Sequence, residues 1–190
     1  MMAVLDPKTK ESIENAIAVM DDLAGRKSLI EASGLKTGRI LDVGMGHCGC
    51  MAFSLARSGF QVIGIDYLTD AVYDSKQDAQ KEHHFSGTFE ALVANGERLP
   101  FGTCQFDAVV AYHALHHMDN VKQVIAEMFR VCKPAGFVLI ADFHENGRKA
   151  YKHKPDSGKL LKTIEHCLTK YTPSIRKVKT EYNLMFICKK

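Results

Sequence analysis

No apolar run in this 190-residue chain approaches the length that spans a bilayer. The opening stretch MMAVLDPKTKES lacks the apolar core of a secretory signal, so a cytoplasmic location and no membrane partner are expected. Neither sign of charge dominates: 25 Lys and Arg stand against 22 Asp and Glu, a net +3. Basic residues gather late, at Lys152, Lys154, Lys159, Lys162, Arg176, Lys177 and Lys179, without the interleaved aromatics of a nucleic-acid surface. A solvated helix face and a charge-protected edge strand are expected there, and a nucleic-acid partner is not. CxxC motifs and zinc-ligand pairs are missing as well. The six cysteines are scattered apart from Cys48-x-Cys50, and reduced thiols are expected of them. With no repeat, low-complexity segment or linker, residues 1–190 are expected to form a single domain.

What the chain does have is alternation. Asp6-Pro7 has the form of a helix start, and Ile13, Ile17, Met20 and Ala24 fall on one helical face. Gly25 interrupts that pattern; a second helical stretch then runs to about Ser33, with Gly34 as its stop. A buried strand is expected at Ile40–Val43, and further strands at Gln61–Ile65, Glu90–Ala94, Phe106–Ala111 and Phe137–Ala141. Helices are expected through Met51, Phe53 and Leu55, from a cap at Thr69 or Asp70, and from about Asn120. Lys133-Pro134-Ala135-Gly136 has the composition of a turn. Strand and helix alternating in this way call for an α/β fold, a parallel sheet covered on both faces. One more helix carries Leu160, Leu161, Ile164 and Leu168. Ile175–Lys179 and Leu184–Cys188, separated by a short turn, can only pair antiparallel.

The first strand runs into Asp42-Val43-Gly44-Met45-Gly46-His47-Cys48-Gly49. Glycines let a backbone approach a ligand closely, and the following helix offers free N–H groups. Asp66 stands about twenty residues on, where a ribose-binding acid belongs. These features together indicate a nucleoside-containing cofactor and leave its identity open between a nicotinamide and another nucleoside.

Five stretches decide between them: Ile40–Gly46, Val62–Asp66, Asn95–Phe101, Phe106–His117 and Arg130–Ile140. In this order and spacing, residues 36–145 resemble the class I S-adenosylmethionine (SAM)-dependent methyltransferases of the small-molecule type. The resemblance implies a Rossmann-like, doubly wound, mostly parallel sheet of seven strands ending in an antiparallel pair, with helices on both faces. It implies SAM as cofactor and a small-molecule methyl acceptor. Gly44 and Gly46 would line the methionine part of the cofactor and Asp42 would orient its amine. Asp66 would accept both ribose hydroxyls. Tyr67 or Leu68 would pack on the adenine. Asn95 would meet the adenine edge through its amide oxygen, with Gly96 beside it, and Ala111 and Tyr112 would close the pocket near the methyl. Here His47 and Cys48 separate Gly46 from Gly49, one residue more than the family's usual turn, which leaves the contact of Gly49 open.

His113, His116 and His117 follow the fourth strand, and His47 and His144 follow the first and fifth, so all five are placed for one cleft. Three roles stay open for them: shaping the pocket, acting as a base, or chelating a metal through His113-x-x-His116. No metal is assigned. His117 or His116 is the first candidate base and Tyr112 the second. Only residues 1–35, as a candidate lid, and the segment from His144 to about Pro173 are left to build the acceptor pocket. So short a cap fits a small substrate, or a site completed by a second copy or a partner subunit. A SAM-binding subunit without activity of its own is the alternative from another class, and a nicotinamide-linked oxidoreductase the alternative enzyme.

Overall fold

A computed structural model describes residues 22–82, 84–156 and 158–190. The expected helix start at Asp6-Pro7 and the apolar positions Ile13, Ile17 and Met20 lie outside the described residues. Residues 22–33 form helix α1. It runs through Gly25 unbroken, against the interruption expected there. A Cβ at Gly25 would lie 2.6 Å from the Tyr112 hydroxyl and 3.3 Å from Met185, so the glycine serves close packing on the sheet and not a chain break.

The elements that follow are β1 (Arg39–Val43), α2 (Cys50–Arg57), β2 (Gln61–Asp66), α3 (Thr69–Lys81), β3 (Thr88–Val93) and β4 (Phe106–Tyr112). Then come α4 (Val121–Val131), β5 (Cys132–Phe143), α5 (Glu145–Ala150), α6 (Lys159–Leu168), β6 (Ile175–Lys179) and β7 (Asn183–Lys189). The seven strands form one sheet in the order β3-β2-β1-β4-β5-β7-β6. All pairings among β1 to β5 are parallel, and β7 runs antiparallel to both β5 and β6. The expected doubly wound sheet with an antiparallel end is therefore present.

The pleat divides each central strand between two cores. Leu41, Val43, Val109, Ala111, Val138 and Ile140 pack on one face with Val124, Ile125 and Met128 of α4 and Leu161 and Ile164 of α6. Ile40, Val62, Ala108, Val110 and Leu139 pack on the other with Leu29 of α1 and Met51, Ala52 and Leu55 of α2. Full burial of each large aliphatic side chain is worth about 1.5–3 kcal/mol, so both layers are held chiefly by these contacts. β6 is the edge strand the charges predicted: Arg176 donates to the carbonyl of Ala32 at 2.6 Å, and Lys177 pairs with Glu165 at 2.8 Å.

Two local expectations are corrected. Neither Thr69 nor Asp70 caps α3; the helix begins after Leu68, whose N–H donates to Asp66 Oδ1 at 3.0 Å. Lys133–Gly136 is not a separate turn but a bulged start to β5. Phe106 faces Cys132 while Ala108 already faces Phe137, and Ala135 takes a φ of 61° to absorb the extra residues. The backbone of Ala135 and Gly136 bonds to that of Lys190 (3.0 and 2.9 Å), so these residues pair with a neighbour where a turn would close on itself.

Candidate active site

The carboxyl ends of β1, β2, β4 and β5 open into one cleft of about 680 Å³, a size ordinary for a small-molecule site. Open α/β sheets bind ligands at this edge, where the strand order reverses between β1 and β4. The glycine turn after β1 forms its floor. Gly44 and Met45 both donate to the carbonyl of Ile65 (2.9 and 3.0 Å), which ties the turn to β2. Gly44 has φ 77°, and a Cβ there would lie 2.7 Å from that of Ala114; Gly46 has φ 66° and faces open space. Gly49, whose role was open, starts α2 and packs against Phe53 and Ser75 without lining the cleft. The longer turn places Cys48 and Cys50 on the cleft wall, bonded to each other in a disulfide, a correction to the expected reduced pair.

Asp42 lies beneath this turn. It is buried, lines the cleft, and neither carboxylate oxygen has a hydrogen-bonding partner. Burial pushes its pKa up to about 7; the backbone N–H of Ala52 pulls the other way, and Asp66 adds to the rise. Asp66, at the end of β2, accepts from the backbone of Gly46 and of Leu68, both at 3.0 Å. Each of its oxygens keeps a lone pair for a further donor. Tyr67 and Leu68 stand exposed at the rim, 67% and 39% accessible, as flat and aliphatic surface that an occupant would cover. Asn95 and Gly96 line the opposite wall, but the Asn95 amide oxygen already accepts from Glu97 N–H at 2.7 Å. An amide oxygen has a second lone pair, so its expected acceptor role stays open.

Ala111 does not reach the cleft. It is fully buried under α4, one pleat out of phase, and Ala114 takes the place expected of it. Tyr112 does line the cleft, but its hydroxyl donates to the backbone carbonyl of Asp22 at 3.1 Å, so it is a poor candidate base.

The histidines separate by partner. His113 has φ 52° and its ring lies between those of Tyr112 and Phe143, with centroids 4.2 and 3.9 Å away. Its Nε2 meets Asn183 Oδ1 at 2.5 Å, and burial pushes its pKa down. His116 Nδ1 meets Asp142 Oδ1 at 2.8 Å, with both side chains buried, while its Nε2 has no partner. His117 is exposed in the cleft; partial burial and then neighbouring His116 push its pKa down. His47 sits at the rim, where its hydrogen bond to Asp74 raises its pKa. His144 is not in the cleft as expected: its ring accepts from Asn146 N–H and caps α5. Among the described residues, no group of three or more His, Cys, Asp or Glu is placed to hold a metal ion.

Several lining residues escaped the sequence reading. Asp22 and Arg26 come from α1 and pair at 2.8 Å. Asp142 ends β5. His153 arrives on the loop after α5 and sets its ring edge-on to that of His116, at 4.6 Å between centroids. An acid closing the apolar run Phe137–Ala141 was the one available signal; the loop residues had none.

A family model described as "Methyltransferase domain" matches residues 41–140. The chain is 28% identical over 163 residues to a Pseudomonas putida ubiquinone/menaquinone biosynthesis C-methyltransferase UbiE, covering 80% of this chain and 63% of that protein. It is 32% identical over 119 residues to the protein of the same name from Geotalea daltonii, covering 61% of this chain and 50% of that one. The chain thus spans between half and two thirds of the length of these curated relatives. A crystal structure of a SAM-dependent methyltransferase from Aquifex aeolicus superposes with TM-score 0.71 at 19% identity, covering 97% of this chain and 98% of that one. One from Methanosarcina mazei gives 0.69 at 21% identity, covering 85% and 96%. The cleft, its glycine turn and its two acids thus occur on a shared fold, and the chain belongs to the methyltransferase-domain family, in its class I SAM-dependent group.

Proposed function

We propose that the protein transfers the methyl group of SAM to a small-molecule nucleophile by in-line displacement. The observation that carries this reading is the Asp42 carboxylate, buried and unpartnered at the floor of the cleft. A buried acid without donors is costly unless a ligand supplies them, and the α-ammonium of the cofactor is a donor of the right charge. The residues fit the rest of the molecule too. Gly46 leaves open space for its methionine part, with Gly44 lining the cleft beside it, Asp66 has lone pairs for two ribose hydroxyls, and Tyr67 and Leu68 offer a surface for adenine. Asn95 would meet the adenine edge through its amide oxygen, with Gly96 beside it.

The sulfonium brings a methyl group already activated for displacement. What the chain supplies is alignment and exclusion of water. Phe143, Tyr151 and Met118 wall the acceptor side, and His116 and His117 are the side chains there able to take a proton. Tyr112 is retained as a wall residue.

Calorimetry with SAM, S-adenosylhomocysteine and NAD tests the cofactor assignment. The first two should bind and NAD should not; binding of NAD alone would sink it. Methyl transfer to a panel of thiols, amines, phenols and arsenite then tests the activity. The alternative reading is a SAM-binding subunit that needs another chain for activity. Turnover by the purified chain alone would exclude it.

A further inference from the structure

The geometry points to an Asp142–His116 dyad as the proton acceptor of the site, serving a planar acceptor that carries an ionisable hydroxyl. The inference rests on the methyl-transfer reading above and adds to it a base, its positioning residue and an acceptor class.

Asp142 is fully buried at the end of β5 and accepts three bonds: His116 Nδ1 at 2.8 Å, Phe143 N–H at 2.8 Å and His116 N–H at 3.2 Å. A carboxylate so placed can only accept, so His116 presents Nδ1–H to it and keeps its lone pair on Nε2. That nitrogen is buried, has no partner, and belongs to a ring lining the cleft. None of the other candidates combines these features. The Tyr112 hydroxyl is bonded to a backbone carbonyl, His113 is held by Asn183, and among the described residues no carboxylate bonds to the ring of His117 or His153.

The surroundings define what can reach Nε2. Phe143 stacks on Tyr151 at 4.6 Å and on His153 at 5.3 Å, which makes a wall of flat rings beside the dyad. His153 lies edge-on to His116, so the acceptor reaches Nε2 only when that ring turns aside. Such a wall suits another flat ring. The charged and titratable groups acting here are Asp142, His113, His117, His153, Arg148 and, further off, Asp66.

In the step itself the acceptor hydroxyl gives its proton to His116 Nε2, and the imidazolium so formed faces the Asp142 carboxylate. The acceptor oxygen forms a bond to the methyl carbon, the carbon–sulfur bond breaks, and its electron pair returns to sulfur as a neutral thioether. The proton leaves His116 for solvent when product departs. Asp142 is a positioning residue: it sets the tautomer and steadies the transient charge.

The test uses 4-nitrophenol, whose anion is coloured, with the full chain both free and loaded with S-adenosylhomocysteine. Below the phenol's own pKa, the wild type should bind it largely as the anion. His116→Gln and Asp142→Asn should lose the anion band while still binding the phenol, and His166→Gln, exposed on α6 away from the cleft, should keep it. With SAM, methyl transfer to 4-nitrophenol should fall at least about 100-fold in His116→Gln. An anion band unchanged in Asp142→Asn and His116→Gln overturns the dyad. Failure of the wild type to bind 4-nitrophenol, or binding only as the neutral phenol, overturns the acceptor class. Because the cofactor is titrated separately by calorimetry, a protein that holds the phenol but not SAM refutes the methyl-transfer reading and leaves the dyad standing.

Discussion

At Asp42 the charged form has no partner, so the free protein keeps a proton there up to about pH 7. In the unfolded chain the same carboxyl loses its proton near about pH 3.9. Between those values the folded state binds more protons than the unfolded one, so this group's contribution to stability falls as pH rises and levels off above about 7. Asp42→Asn should flatten that slope in urea melts taken across the window, and should weaken SAM binding at least about tenfold by calorimetry. Binding of the cofactor ammonium requires the carboxylate, so affinity should rise with pH up to about 7, with proton release seen as a buffer-dependent enthalpy. Asp66→Ala removes charge-assisted bonds to the ribose and the acceptor that holds Gly46 and Leu68, and should raise the SAM dissociation constant by about 100-fold or more. Asp42, Asp66 and the glycines were legible because turn, strand and acid follow one another locally. Asp142 and His153 were not, since only the sheet and the loop after α5 bring them to His116.

Among the elements, the end of α4 and the loop between β3 and β4 are joined through one residue pair. Arg130, near the end of α4, donates to the carbonyls of Phe101 (2.8 Å) and Leu99 (3.2 Å) and grips Glu127, which itself accepts from Leu99 N–H at 2.8 Å. Two of the stretches that mark the family in sequence, Asn95–Phe101 and Arg130–Ile140, are thus one clamp in space. Arg130→Ala should cost about 1–3 kcal/mol in urea unfolding and loosen the Asn95 wall, seen as a several-fold weaker SAM affinity. The strands were legible because each central one is a short apolar run closed by a turn or a polar residue. The unbroken path of α1 through Gly25 was not, because its cause is the hydroxyl of Tyr112 on a strand far along the chain. For the same reason the backbone pairing of Ala135 and Gly136 with Lys190 hid behind turn-like composition.

For the whole molecule, thiol chemistry gives a direct check of the disulfide. Cys104 is exposed while Cys132, Cys167 and Cys188 are buried, and burial pushes the thiols of Cys132 and Cys188 up to about 12. A native sample should therefore react once quickly with a thiol reagent, three times more after unfolding, and twice more after reduction of the Cys48–Cys50 bond. The strand order has a separate consequence, for synthesis. β7 lies inside the sheet, between β5 and β6, although it follows both in the chain. While the ribosome is still making the residues before it, β5 shows an open apolar edge, Phe137–Phe143, to every other chain nearby. A nascent chain stopped before Asn183 should then be a chaperone client and aggregate when released, whereas extension by β7 closes the edge.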